Sequence, residues 1–263
     1  MNYELLCCLS FGVGIVVGLT GVGGASLITP MLVLVFQVPT AIAISSDVVA
    51  ATLMKVVGGF KHWRQQTLDP TVVKWMSLGS VPGALAGLIL FHGLKDHWSE
   101  DWNQLLLRLL GSLILAMTLI GIGQLVLSQC FPGLQLPVLP ALNLDTWSGR
   151  VATLAISALL GFLVGLTSVS SGSMFALVLM AFFQLDARKL VGTDLSQAAI
   201  LLSFTSIGHI GFGSVDWGLV GAIWFGSVPG VLLGAKLCQF VPQQALRAVL
   251  YTILMMVSWK LVV

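Results

Sequence analysis

The chain has 263 residues, 57% of them hydrophobic and only 8% charged, with a formal net charge of +2. A soluble domain carries about 25% charged residues, so most of this surface has to face something other than water. Neither the small positive balance nor any basic cluster fits nucleic acid. The four cysteines, Cys7, Cys8, Cys130 and Cys238, lack metal-ligand spacing and read as small hydrophobes rather than a disulfide framework.

The first element is a run without Asp, Glu, Lys or Arg between Glu4 and Asp47. A helix needs about 20 apolar residues to cross the hydrocarbon core, and this run is far longer. Backbone groups in lipid must be satisfied within the segment, which selects helices; a barrel would show short alternating strands instead. The start lacks a basic n-region and a small-residue cleavage site, so it is expected to belong to the mature fold. Gly21-Val22-Gly23-Gly24 interrupts the run in its middle, and glycine clusters break helices. The segment therefore reads as a broken or re-entrant hairpin with arms of roughly 15 residues, about 23 Å each. Its second arm is predicted to start near Ala25.

A second long helix follows Phe36-Gln37. Asp47 comes after Ser45-Ser46 near its predicted start, where a helix-cap role is favoured; the sharper alternative is an intramembrane acid that relays protons or gates the pathway. His62, between Lys61 and Arg64, ends this helix, and an interfacial role is favoured over proton coupling. Asp69 reads as a turn or cap residue before the next helix. Gly79-Ser80-Val81-Pro82-Gly83 puts Pro82 inside an apolar helix, with packing as the default role and a hinge as the alternative. Lys95 to Trp102 reads as a surface connection, and 105–128 as a further span. Trp63, Trp75, Trp98, Trp102, Trp147 and Trp217 fall near segment ends, as an interfacial belt requires. Cys130–Arg150, with Pro132, Pro137 and Pro140, reads as a linker.

From there the pattern begins again. Shifted by 147 positions, Gly18–Gly87 lies on Gly165–Gly234 without a gap, and 20 of the 70 positions are identical. Gly-Ser-Val-Pro-Gly at 79–83 recurs at 226–230, Asp47 matches Asp194, His62 matches His209 and Asp69 matches Asp216. Chance alignment of apolar residues does not bring rare Asp, His and Pro into register, so the unit is duplicated. Repeat 1 covers about 5–128, the linker about 129–149 and repeat 2 about 150–263, all within a single integral membrane domain, 1–263. Ser168-Val169-Ser170-Ser171-Gly172 is the second breaker, with a helix predicted to start at about Ser173.

Charge counting orients the halves. With each opening segment a hairpin and the His62 turn in the cytoplasm, nine basic residues, Lys55 among them, lie at or near the inside, and Lys95, Arg108 and Lys260 face outward. With single crossings the split is six to six. The expected fold class is thus all-α: a polytopic membrane helical bundle of two inverted-topology repeats in the cell (inner or plasma) membrane. Broken helices that meet near the midplane from opposite sides describe many secondary transporters. A helix start carries free amides and about half a positive charge. The candidate binding residues for a small anion are therefore Thr20, Gly21, Gly23, Gly24 and Ser26, with Thr167, Ser170, Ser171 and Ser173; tight helix packing is the bland alternative. Asp47, Asp194, His62 and His209 are candidates for proton coupling or gating. No nucleophile elbow, two-histidine metal motif or Walker loop is present, so no enzyme activity, cofactor or metal is expected. The partners expected are a small anion and the lipid bilayer; a homo-oligomer stays open.

Gly21-Val22-Gly23-Gly24 followed by Pro30, the Ser45-Ser46-Asp47 and Gly192-Thr193-Asp194 steps, His62 and His209, and Asp69 and Asp216 before a Gly-rich helix together resemble the TauE/SafE sulfite exporter family, from about Leu5 to Leu261. The resemblance implies a multi-pass permease for sulfite, sulfoacetate or related organosulfur anions, usually exporting from the cytoplasm. The second breaker is serine-rich where the family has glycine, and Ala25 stands where another glycine is typical. These departures alter pocket volume and hydroxyl content and leave the substrate open, while the transport class stands. The other classes are an anion channel, an accessory membrane subunit and an intramembrane enzyme. Asp194 and His209, 15 residues apart on one helix and thus about 22 Å apart, are too distant to act as a catalytic pair.

Overall fold

The computed structural model describes residues 3–20, 24–95, 99–130, 142–167, 173–183, 185, 187–213, 215–237 and 243–262. They form ten α-helices: α1 (Tyr3–Thr20), α2 (Ala25–Leu34), α3 (Thr40–Arg64), α4 (Pro70–Lys95), α5 (Ser99–Cys130), α6 (Trp147–Thr167), α7 (Ser173–Phe182), α8 (Ala187–Gly211), α9 (Trp217–Leu237) and α10 (Gln243–Val262). Six of them, α3, α4, α5, α6, α8 and α9, contain stretches long and apolar enough to cross a membrane. The chain is an all-α, multi-pass membrane protein.

α2 and α7 begin at Ala25 and Ser173, where the breakers predict. The arms they belong to are not equal, however. α1 and α6 have 18 and 21 residues, whereas α2 and α7 have ten each, about 15 Å against about 31 Å for α6. The expectation of two arms of similar length is therefore corrected. The second arm is short because the chain breaks again before the long helix: Val38 N–H bonds the Leu32 carbonyl, Gln37 adopts a left-handed φ of 53°, and Pro39 follows. In the second opening segment the Leu142 N–H donates to the Phe182 carbonyl at 3.0 Å. The end of α7 thus returns to the chain just ahead of α6, as a hairpin does.

The helices gather into two compact units, Met1–Ala50 with Glu100–Leu136 and Val215–Val263, and Ala51–Ser99 with Pro137–Ser214. Each unit draws on both repeats, and each is organised by one close helix pair. In the second unit α4 and α6 run side by side in the same direction. A methyl group on Gly79, Gly83 or Gly87 would lie 2.5, 2.1 or 2.3 Å from the carbonyl oxygens of Leu154, Ala158 and Phe162. Gly161 returns the contact against the Ser80 carbonyl at 2.1 Å. In the first unit Gly226, Gly230 and Gly234 of α9 meet the carbonyls of Cys7, Phe11 and Ile15 of α1, and Gly14 meets Ser227. Every one of these contacts maps onto its counterpart by the 147-residue offset. Small residues let helix backbones touch where lipid offers no hydrophobic drive to hold them together. Pro82 and Pro229 lie inside α4 and α9 with their side chains exposed, so the seam contacts are made by the glycines beside them.

Asp69 and Asp216 are caps, as their positions before a helix predict. Asp69 Oδ1 accepts the N–H groups of Thr71 and Val72, and Asp216 Oδ1 those of Gly218 and Leu219. Their own amides donate to hydroxyls of the other repeat, Asp69 N–H to Thr193 Oγ1 at 2.9 Å and Asp216 N–H to Ser46 Oγ at 3.0 Å.

The seam makes a direct prediction. Gly83→Leu should destabilise the protein by about 3 kcal/mol, whereas Gly93→Leu, where nothing lies within 4 Å, should be neutral. Thermal unfolding of the detergent-purified variants, followed by size-exclusion chromatography, checks the pair.

Candidate functional site

The first breaker ends at Gly24, which precedes α2 with φ −61° and ψ −29° and gives it no side-chain cap. Leu27 and Ile28 N–H groups both turn back to the Gly24 carbonyl. Ser26 in the first turn is buried, as are Ile28, Thr29 and Leu32, so this ten-residue helix is enclosed by protein along much of its length. A methyl group on Gly24 would stand 3.4 Å from Ile28 and 3.7 Å from Val17, ordinary contact with little room beyond it. Thr20 closes α1 and Ser173 opens α7, which puts their backbones at the two breaker edges. Thr167 is buried at the end of α6 and donates its hydroxyl proton to the Leu163 carbonyl, which leaves its oxygen lone pairs as what it can offer. Gly21, Gly23, Ser170 and Ser171 lie outside the described residues.

Asp47 and Asp194 are not caps. α3 starts at Thr40 and α8 at Ala187, so each acid is the eighth residue of its helix and points inward, 0% and 8% exposed. Helix entry is set earlier than the Ser-Ser-Asp and Gly-Thr-Asp steps suggested, and the cap reading is corrected. Thr29 of α2 donates its hydroxyl to Asp47 Oδ2, tying the short helix to α3. Asp194 instead faces Lys55 of α3, with Nζ 4.0 Å from Oδ2. Lys55 is buried within its helix rather than at the cytoplasmic edge, which corrects its place in the charge count.

One turn from Asp194, buried Gln197 donates its amide to Ser80 Oγ of α4 at 2.8 Å. Thr52 bonds the Leu202 carbonyl and shares a 2.6 Å bond with Ser206. The second unit thus has a polar interior between α3, α4 and α8. It also has a largely apolar cavity of about 550 Å³ walled by Val56, Phe60, Trp63, Val73 and Ile200, with Lys74 among its lining residues.

The matched histidines differ. His62 is half-buried, its Nδ1 2.8 Å from Thr67 Oγ1, and the turn it belongs to lies against Gly192, where a methyl group would come 2.0 Å from the Thr67 carbonyl. His209 is fully buried and packs edge-on to Phe91 and His92, each ring centre 5.4 Å away. His92 in turn stacks on Phe212. Among the described residues no group of three or more His, Cys, Asp or Glu could hold a metal ion.

Four of these residues escaped the sequence reading: Thr29, Lys55 as a buried partner, Gln197 and His92. Only Lys55 left a plain signal, as the single charge in the stretch between Asp47 and Lys61.

Comparison with known proteins gives this membrane-spanning architecture a family. The model of the family described as "Sulfite exporter TauE/SafE" matches residues 6–261. The probable membrane transporter protein YjnA of Bacillus subtilis (strain 168) is 35% identical over 207 residues, 79% of each chain. The probable membrane transporter protein YdhB of the same organism is 25% identical over 247 residues, 94% of this chain and 95% of its own. No solved structure matches. With the family model covering nearly its whole length, this multi-pass membrane chain belongs to the sulfite exporter TauE/SafE family of transporters.

Proposed function

We propose that the chain is a secondary carrier that exports a small sulfur-containing anion, such as sulfite or an organosulfonate, by alternating access within one domain of two inverted repeats. The observation that carries this reading is the reciprocal docking of turns on helix heads. In the second unit the turn between α3 and α4 lies against the head of α8, through Thr67 on Gly192 and Asp69 on Thr193. In the first unit Asp216, just ahead of α9, bonds Ser46 near the head of α3. If the repeats ran in the same direction, the heads of α3 and α8 would share one membrane face. The tail of α3 would then lie a full crossing away from the head of α8. Finding that tail beside that head supports opposite orientations. The charge count points the same way, eight to three once buried Lys55 is withdrawn.

Inverted repeats with short helices broken inside the membrane suit binding at depth. α2 and α7 each start at a breaker, and a helix start directs its first amides toward the segment before it. The first breaker supplies Thr20, Gly21, Gly23, Gly24 and Ser26 to the anion, and the second supplies Thr167, Ser170, Ser171 and Ser173. Partial charges and hydroxyls hold a small oxyanion without trapping it. The family match supports sulfur chemistry in the substrate.

Counterflow in proteoliposomes with sulfite, thiosulfate, sulfoacetate and sulfate tests the reading. Exchange accelerated by substrate on the far side is expected of a carrier; its absence with net flux intact would mark a channel, and no flux at all an accessory subunit. Gly24→Trp and Ser171→Trp should each cut sulfite flux by at least about tenfold, and Gly24→Ala should stay within about twofold, all with normal membrane insertion. Wild-type flux in both tryptophan variants would remove the site. For topology, single cysteines at Arg64 and Lys189 in a chain without Cys7, Cys8, Cys130 and Cys238 should be labelled from the same face. Labelling from opposite faces would defeat the inverted arrangement.

A further inference from the structure

Two buried oxygen atoms on α8 lack the same thing. Among the described residues, Asp194 Oδ1 and Gln197 Oε1 are both buried without a hydrogen-bond partner. They sit three residues apart, on one face of the helix. Gln197 is oriented by its amide, which donates to Ser80 Oγ, so the other end of the side chain is held as an acceptor. Lys55 faces the remaining Asp194 oxygen at 4.0 Å, beyond hydrogen-bonding distance. The ammonium balances the carboxylate charge without bonding it. Buried polar atoms are nearly always satisfied, and a pair of neighbouring orphan acceptors is satisfied by one added donor.

We propose that Asp194, Gln197 and Lys55 form a proton-binding site that couples anion movement to protons: a proton taken up on Asp194 is donated to Gln197 and releases Lys55 to be balanced by an anion. The proposal rests on the carrier reading above and adds its coupling ion. The carboxylate takes one proton from water and becomes a neutral acid, with its new O–H directed at Gln197 Oε1. The Lys55 ammonium, still in a low-dielectric interior, then has no counter-ion, and an anion restores neutrality. Proton and anion therefore bind together, and by linkage each raises the affinity for the other by the same factor. An outward-moving anion carries its proton with it.

The surroundings leave this exchange to the three residues. On α3 Lys55 is the charged group facing Asp194. α4 contributes Ser80 there, while its Lys74 is exposed near the start and His92 lies near the end. α7, packed on α8, has no titratable residue. On α8 itself Arg188 and Lys189 are in the first turn and His209 is near the end; Arg150 opens α6, over the Trp75 ring. The first repeat lacks the matching side chains. Its acid, Asp47, takes a hydroxyl from Thr29, and the positions matching Lys55 and Gln197 are Leu202 and Ala50.

The test uses the purified full chain in phosphatidylethanolamine–phosphatidylglycerol vesicles, with radiolabelled sulfite and the non-titrating methanesulfonate as probes and protein-free vesicles subtracted. An acid-outside gradient should raise initial uptake of a transported probe at least about fivefold, and a sodium gradient should not replace it. In Asp194→Asn and in Gln197→Leu the ratio of uptake with and without the pH gradient should fall toward one. Asp194→Asn strands a buried ammonium and can fail to fold, so Lys55→Met/Asp194→Asn, which removes both charges, is measured beside it. A pair that only holds helices together would leave the double variant with the wild-type gradient response, and that result overturns the proposal, as does sodium drive. Infrared difference spectra on acidification give a readout free of transport. A protonated carboxyl band should be present in the wild type, absent in Asp194→Asn and displaced in Gln197→Leu. Its persistence in Asp194→Asn overturns the site while leaving the carrier reading intact. The band behaving as expected with neither probe moving upholds the proton site and defeats the carrier.

Discussion

Backbone contact between helices, with no side chain interposed, is the constraint on which the rest of this fold depends. At Gly83 and Ala158, and at Gly230 and Phe11, one helix meets the carbonyl of the next at a distance that admits no Cβ. Lipid tails are as apolar as leucine, so helices in a bilayer gain their affinity from such contact and from hydrogen bonds. Each seam joins the opening helix of one repeat to a helix from the far end of the other. Neither repeat can therefore close its own core, and the duplicated sequence folds as interleaved units rather than as two beads on a string.

Around these seams polar groups are satisfied with economy. Thr118, Thr153, Thr167 and Ser203 return their hydroxyls to carbonyls one turn back, the usual recourse of such side chains inside a helix. Asp69 and Asp216 complete their helix ends and dock on the opposite repeat. Several buried hydroxyls, Ser10, Ser77, Ser157 and Ser196 among them, have no partner among the described residues, and so do the oxygens of Asp194 and Gln197, the latter two on one helix face. Burial of an unpaired acceptor costs stability, so a pair of them on one helix face asks for a transient partner.

The sequence was legible where the two repeats agree. The offset of 147 picked out the breakers, the starts at Ala25 and Ser173, the caps and the Gly-Ser-Val-Pro-Gly segments, because each had a second copy to set it against. The same comparison was blind to what differs between copies. Lys55 has Leu202 as its counterpart, Gln197 has Ala50 and Thr29 has Ala176, so none of them registered. Charge counting hid Lys55 further, because it treats every lysine as a loop charge. The acids were misread as caps because Ser-Ser-Asp and Gly-Thr-Asp carry cap chemistry, whereas the true starts at Thr40 and Ala187 lie seven residues earlier. The partners of the glycine seams could not be read at all, since Gly83 meets a residue 75 positions away.

Divergence at the matched acids bears on how a duplicated carrier can be coupled. Two copies of a titrating acid in equivalent settings would load alike, and the proton count would follow the duplication. Here the settings differ in kind. Thr29 offers Asp47 a neutral hydrogen bond. Lys55 offers Asp194 a full positive charge across a gap too wide for a bond, which an anion can take over once the acid is neutralised. A flexible four-carbon stem allows that change of partner without moving the helix backbone. The seams and caps can thus stay paired between the repeats, while the proposed exchange of charge uses one of the two acids. The paired contacts serve the packing of each unit, and a single broken equivalence serves the proposed coupling.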